Sequence, residues 1–199
     1  MAKRLILGSG SKWRGEVLRK AGYEFMAMSA DIDERAIRDA DPIRLVLKLA
    51  DAKADALLAR IRRRKQCDTL LITSDQVLQV GKGADAKVLE KPAGALEAFK
   101  MMQMYRGSTC STITSVAVTD LDTKRRLVGI DICEVDIGWI PGERMKAAIR
   151  RGDVLGSCGA LVTEDPDIAP YITKIHGPRD SIDGLPLFLL RRLLAPFGA

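Results

Sequence analysis

Short, uniformly apolar runs alternate with longer stretches of helical period along this chain, the pattern of strands interleaved with helices. Leu5-Ile6-Leu7 has no polar partner on either face and is predicted to be a fully buried strand. Residues 11–21 place Val17, Leu18 and Ala21 on one side of a helix that Gly22 stops, and 23–28 return as a strand. A helix is then predicted from Asp41, as N-cap, and Pro42, at its first position, to about residue 64; its stripe is Val46, Leu49, Ala50, Leu57 and Ile61. Strands are expected at 68–80, 109–119, 126–140 and 171–176, and helices at 93–105, from Pro141 to about 151, and after Gly184-Leu185-Pro186. Gly81-Lys82-Gly83 is a turn that can return Val88-Leu89-Glu90 as a hairpin partner, bringing Lys91-Pro92 near the level of Asp75.

Several polar residues interrupt this pattern. Gly8-Ser9-Gly10-Ser11 joins the first strand to a helix, where free N–H groups and the positive dipole end attract anions, and Arg14 adds a planar fork of donors. A glycine-serine turn before a helix also serves as an ordinary cap. The loop has neither the Lys-Ser/Thr ending of a P-loop nor the glycine spacing of a dinucleotide fold. Asp31-Ile32-Asp33-Glu34-Arg35 follows a strand, where catalytic carboxylates and solvated acidic loops both occur. Lys53 falls between Leu49 and Leu57 on the apolar face of its helix, so it either snorkels along its stem or points inward to meet an anion. Thr73-Ser74-Asp75 breaks an apolar strand, and a carboxylate buried there unpaired costs several kcal/mol. Asp75 must therefore meet a cation, a metal or a wet cleft. The glycine-rich 152–159 either lines a pocket or connects two elements.

Composition narrows the choices. A chain of 199 residues without internal repeat or low-complexity linker is expected to be a single domain spanning 1–199 that buries about 70% of its unfolded surface. Cys67, Cys110, Cys133 and Cys158 are scattered, and His176 is the one histidine, which argues against zinc, a disulfide framework and a His-based triad. Any metal must use oxygen ligands. No run is long enough for a signal h-region or a membrane span, so a cytoplasmic protein without a membrane partner is expected. The net charge of +6 suits a polyanionic small molecule. Its densest basic run, Arg60, Arg62, Arg63, Arg64 and Lys65, ends a predicted helix, and the few aromatics are not interleaved with it, which disfavours nucleic acid.

In order, the opening serine loop with Arg14, Asp33-Glu34, Lys53-Ala54, Ser74-Asp75-Gln76, Lys91-Pro92 and Gly184-Leu185-Pro186 give the chain a resemblance over nearly its whole length. It resembles the Maf-like (septum formation protein) family of nucleoside triphosphate pyrophosphatases. The resemblance implies an α/β fold with an elongated mixed sheet flanked by helices, two lobes around a cleft, related to the inosine triphosphatase-like fold. It implies cleavage between the α and β phosphates, giving monophosphate and pyrophosphate, with Mg²⁺ or Mn²⁺. By the same resemblance Asp75 is the general base, Glu34 and Asp75 lie at the metal, and Ser9, Arg14, Lys53 and Lys91 bind phosphate. Gly8 and Lys12 depart from the alanine and proline usual in the opening loop. Trp13, Gln76 and Glu164 stand where the pyrimidine-preferring branch has arginine, threonine and glutamine, and resemble the 7-methyl-GTP branch.

Two further readings compete with a 7-methyl-GTP pyrophosphatase: a dTTP/UTP pyrophosphatase of the same family, and a non-catalytic nucleotide- or nucleic-acid-binding regulator of cell division. Asp75, Lys53 and Lys91 together favour an enzyme, because hydrolysis needs a base beside the attacking water and simple binding does not. A homodimer is left open.

Overall fold

The computed structural model describes residues 3–61 and 67–199. Among these residues seven strands pair in the order β2-β1-β3-β5-β6-β7, with β4 on β3: β1 Arg4–Leu7, β2 Phe25–Ala27, β3 Thr69–Val80, β4 Lys87–Leu89, β5 Thr109–Asp120, β6 Arg126–Ile137 and β7 Ile172–Ile175. The sheet is mixed. β1 runs parallel to β2 and β3, while β4 pairs antiparallel with β3 and β7 antiparallel with β6. The helices are α1 Lys12–Lys20, α2 Pro42–Ile61, α3 Ala95–Tyr105, α4 Gly142–Arg151, α5 Arg179–Ile182 and α6 Leu187–Leu194. The α/β class with a mixed sheet and flanking helices is thus as expected.

The chain separates into two compact units. The first comprises Met1–Asp75, Thr114–Asp131 and Asp183–Ala199. Its core follows from the two-residue period of its strands. Leu5, Leu7, Leu70 and Ile72 point to one face and pack with Val17 and Leu18 of α1 and Leu189, Leu190 and Leu194 of α6; Ile6 and Leu71 point to the other and meet Ala54, Leu57 and Ile61 of α2. Both faces of the strands are covered there, which is why Leu5–Leu7 and Leu70–Ile72 read as continuous apolar runs. Truncating one of these side chains, as in Leu71→Ala, costs about 2–5 kcal/mol.

The second unit comprises Gln76–Ile113 and Ile132–Ile182. α3 buries Ala98, Met101, Met102 and Tyr105, and α4 buries Met145 and Ala148. Gly159 is needed twice over: its φ is +62°, and a Cβ there would stand 2.3 Å from Leu78 Cδ2. Its N–H donates to the Glu90 carbonyl at 2.9 Å, which ties the glycine-rich segment to the residue after β4.

Several boundaries differ from expectation for local reasons. The helix predicted from 93 begins at Ala95, because Glu97 Oε2 reaches back to accept from the Ala93 N–H at 2.5 Å before the helix has turned. The strand predicted to run to 140 ends at Ile137, where the pairing with β7 shifts register and the Gly138 N–H turns to the Tyr171 carbonyl. Asp41 does cap α2, its Oδ1 accepting from the Ile43 N–H at 2.9 Å. The end of that helix beyond Ile61, with Arg62, Arg63, Arg64 and Lys65 of the basic run, lies outside the described residues. α5 is an element beyond those expected, its single turn being too short for a periodic signal.

Candidate active site

In the first unit, β3 carries Asp75 and α2 carries Lys53, and both are buried. Lys53 Nζ lies 2.5 Å from Asp75 Oδ1 and 3.0 Å from Glu34 Oε1, so one ammonium serves two carboxylates. Of the two placements the sequence allows for Lys53, the structure selects the inward one. Glu34 begins a one-turn 3₁₀ helix capped by Asp33, whose Oδ1 accepts from the Arg35 N–H. Its side chain is 37% exposed, whereas that of Asp75 is 8% exposed: the cluster has one wet and one dry carboxylate.

Two buried hydroxyls fix the distance between α2 and β3. Thr73 Oγ1 donates to the Ala50 carbonyl at 2.9 Å, three residues before Lys53. Ser115 Oγ donates to the Val46 carbonyl at 2.6 Å and accepts from the Asp75 N–H at 3.4 Å. Ser115 is not among the residues expected at the site, although Thr114-Ser115 interrupts the apolar strand 113–118 in the same manner as 73–75 interrupts its own.

The opening loop has its own scaffold. Ser9 Oγ accepts from the Ser11 N–H at 3.1 Å and from Arg14 Nη1 at 3.3 Å. Arg14 is buried on α1 and also donates from Nη1 to the Ser74 carbonyl at 2.8 Å and from Nε to the Gly184 carbonyl at 2.9 Å. Ser74 Oγ donates to that same Gly184 carbonyl at 3.0 Å. Three separate sequence motifs, the serine loop with Arg14, Ser74-Asp75 and Gly184-Leu185-Pro186, thereby meet at one buried carbonyl. Gly8 has a packing reason as well, since a Cβ there would stand 2.6 Å from Leu57 Cδ1 and 2.7 Å from Thr73 Cγ2. Trp13 is half-buried, and Lys12 Nζ sits 4.6 Å from its ring centroid.

The second unit holds Gln76, Lys91 and Glu164. Gln76 Nε2 donates to the Ser181 carbonyl at 2.9 Å, and Cys158 Sγ lies 3.4 Å from Gln76 Oε1. Glu164 Oε1 faces Arg179 Nε at 3.4 Å. Lys91 is exposed, two residues beyond the Leu78–Leu89 pair of the β3–β4 hairpin.

Among the described residues no group of three or more His, Cys, Asp or Glu side chains could by itself hold a metal ion. Glu34 and Asp75 nonetheless fit one. They are two hard oxygen donors gathered at a single cation, and Mg²⁺ ordinarily takes one or two carboxylates and completes its shell with phosphate oxygens and water.

Residues 4–197 match the family model described as Maf-like protein. The chain is 36% identical over 197 residues to the 7-methyl-GTP pyrophosphatase of Dictyostelium discoideum, covering 98% of this chain and 97% of that protein. It is 31% identical over 198 residues to a nucleoside triphosphate pyrophosphatase of Synechococcus sp. (strain JA-2-3B'a(2-13)), covering 100% and 96%. It is also 32% identical over 198 residues to the dTTP/UTP pyrophosphatase of Chlamydia trachomatis serovar L2, covering 99% and 95%.

Proposed function

The chain belongs to the Maf-like protein family, and we propose that this nucleoside triphosphate pyrophosphatase takes 7-methyl-GTP or a closely related modified nucleotide as substrate. The observation that carries the chemistry is the buried Lys53 held between Asp75 and Glu34. A charge trio of that kind adds little net stability relative to an apolar packing of similar volume, so its presence supports a functional reason.

In this reading Asp75 removes a proton from the attacking water, and its place on a rigid central strand holds the base still while it does so. The water oxygen forms a bond to the α-phosphorus as the bond to the α,β-bridging oxygen breaks, and pyrophosphate leaves. Lys53 and Lys91 offset the triphosphate charge. Ser9 and Arg14 order the loop at the start of α1, and both are assigned to phosphate binding there. Glu34 and Asp75 would hold Mg²⁺ or Mn²⁺, which when bound neutralises the charge that develops on the departing pyrophosphate.

For the base, Trp13, Gln76 and Glu164 are assigned to specificity. A carboxylate accepts from the N–H groups of a guanine Watson–Crick edge, and an indole face favours a ring made cationic by N7 methylation. The rival substrate within the same chemistry is dTTP or UTP, which a relative of nearly equal identity is named for.

Pyrophosphate release measured with 7-methyl-GTP, GTP, UTP and dTTP, with and without excess chelator, tests the whole reading. The expected order has 7-methyl-GTP first, with activity abolished by chelation. UTP or dTTP ahead of 7-methyl-GTP overturns the base assignment, and phosphate as the first product overturns the bond assignment.

A further inference from the structure

Glu164 is an exposed acidic side chain on a backbone that is held on both sides. Thr163 before it and Asp165 after it are each 5% exposed. Asp165 is gripped by Arg151 from the last turn of α4, with Nε at 3.1 Å from Oδ2, and its Oδ1 accepts from the Asp167 N–H at 2.9 Å. Arg144 from the same helix holds Asp167 at 2.8 Å. The backbone at Glu164 is therefore fixed by α4, and the remaining freedom lies in its own side chain, 41% exposed.

Arg179 limits that freedom. Its Nη2 donates to Thr163 Oγ1 at 3.2 Å while its Nε faces Glu164 Oε1 at 3.4 Å, so one planar guanidinium spans two consecutive side chains. Arg179 also opens α5, the turn in which the Ser181 carbonyl accepts from Gln76 Nε2. A single turn of helix thus braces both Gln76 and Glu164, residues far apart in sequence that the reading above assigns to the base.

We propose that Arg179 is a positioning residue for substrate specificity: it orients the Glu164 carboxylate so that the free lone pairs meet the N–H donors of a purine edge. A carboxylate has about four lone-pair sites, so one arginine contact sets its plane and leaves the others for a ligand. The proposal rests on the 7-methyl-GTP reading, and it adds a residue that never touches the substrate.

The test is steady-state kinetics with 7-methyl-GTP, and with UTP at high concentration as pyrimidine comparator, on wild type, Arg179→Ala, Arg179→Lys, Glu164→Gln and the Arg179→Ala/Glu164→Gln double variant. Releasing one side chain that must be re-ordered on binding corresponds to about a 3- to 10-fold effect. Arg179→Ala should lower the 7-methyl-GTP/UTP ratio of kcat/KM by that factor through KM rather than kcat. Arg179→Lys, which keeps the charge but not the two-pronged contact, should recover part of it. In the Glu164→Gln background, Arg179→Ala should change the ratio no further. A wild-type preference that survives Arg179→Ala, additive effects in the double variant, or an equal loss on both substrates overturns the role of Arg179 and leaves the 7-methyl-GTP assignment standing. A wild type that prefers UTP removes that assignment and this proposal together.

Discussion

Lys53 Nζ stands 2.5 Å from Asp75 Oδ1 inside the first unit, and the same ammonium reaches Glu34 Oε1 at 3.0 Å. The dry carboxylate is the one on the strand, held in place by its neighbours, and the wetter one sits on a short 3₁₀ turn. The asymmetry suits a site in which the fixed group does the proton chemistry.

Asp75→Asn preserves shape and most hydrogen bonding but removes the carboxylate proposed as base. Turnover should fall by about 10²- to 10⁴-fold with the fold intact, as read by pyrophosphate release beside a circular-dichroism melt. Near-normal turnover would take Asp75 out of the mechanism.

The ion pair itself can be tested by a double-mutant cycle. Lys53→Met leaves Asp75 buried without its cation and should destabilise the protein by about 3–5 kcal/mol. Adding Asp75→Asn to Lys53→Met should return a substantial part of that loss, since the uncompensated charge is gone. Denaturant unfolding of the four proteins measures the coupling, and simple additivity would mean that the two groups do not interact in solution.

Ser115→Ala tests the bracing of the strand against the helix. It deletes the donor to the Val46 carbonyl and the acceptor of the buried Asp75 N–H, so a loss of about 1–3 kcal/mol is expected, together with lower turnover. A variant as stable and as active as wild type would show that the hydroxyl does not set the Asp75 position.

How far the sequence foretold this arrangement depends on whether a residue broke a pattern. Thr73, Ser74 and Asp75 stood out because an apolar strand has no place for them, and each proves to have a partner: the Ala50 carbonyl, the Gly184 carbonyl and Lys53. Lys53 stood out for the same reason, but helical spacing alone could not separate an inward lysine from a snorkelling one. Arg14 was legible as a fork of donors and illegible in its targets, since a guanidinium suited to phosphate is equally suited to the carbonyls of Ser74 and Gly184, distant in sequence. Arg179 broke no pattern, lying in a four-residue turn after Gly177-Pro178, and only the fold brings it to Glu164.

Acid stability has a separate anchor in the turn between β5 and β6. Burial pushes the Asp120 carboxyl upward, but the N–H groups of Thr123 and Asp122 and the Lys3 ammonium outweigh it, and the net value lies below the ordinary 3.8. A carboxyl depressed in the folded state stabilises above its unfolded value, and that contribution is lost as pH falls through the folded one. Asp120→Asn should therefore be less stable than wild type by a constant amount above about pH 5, with the gap closing below 3.8. Urea unfolding at stepped pH measures it, and a gap that widens on acidification would reverse the sign of the argument.

Trp13 offers the sharpest test of how the base is read, because one pair of substrates isolates charge from hydrogen bonding. GTP and 7-methyl-GTP present the same groups along the Watson–Crick edge, and they differ in the positive charge that N7 methylation places on the ring. The Trp13 ring already has an ammonium, that of Lys12, 4.6 Å from its centroid. A cationic base on an indole face is worth about 0.5–2 kcal/mol over a neutral one, depending on how much water the pocket excludes, which is about a 2- to 30-fold preference. Trp13→Ala should erase a preference of that size for 7-methyl-GTP over GTP while sparing turnover of GTP more than that of the methylated substrate. Lys12→Ala should act in the opposite direction, strengthening the preference by removing a cation that competes for the ring and repels the methylated base. The ratio of kcat/KM for the two nucleotides in wild type, Trp13→Ala and Lys12→Ala is the measurement. A ratio that Trp13→Ala leaves unchanged would assign the indole to packing alone.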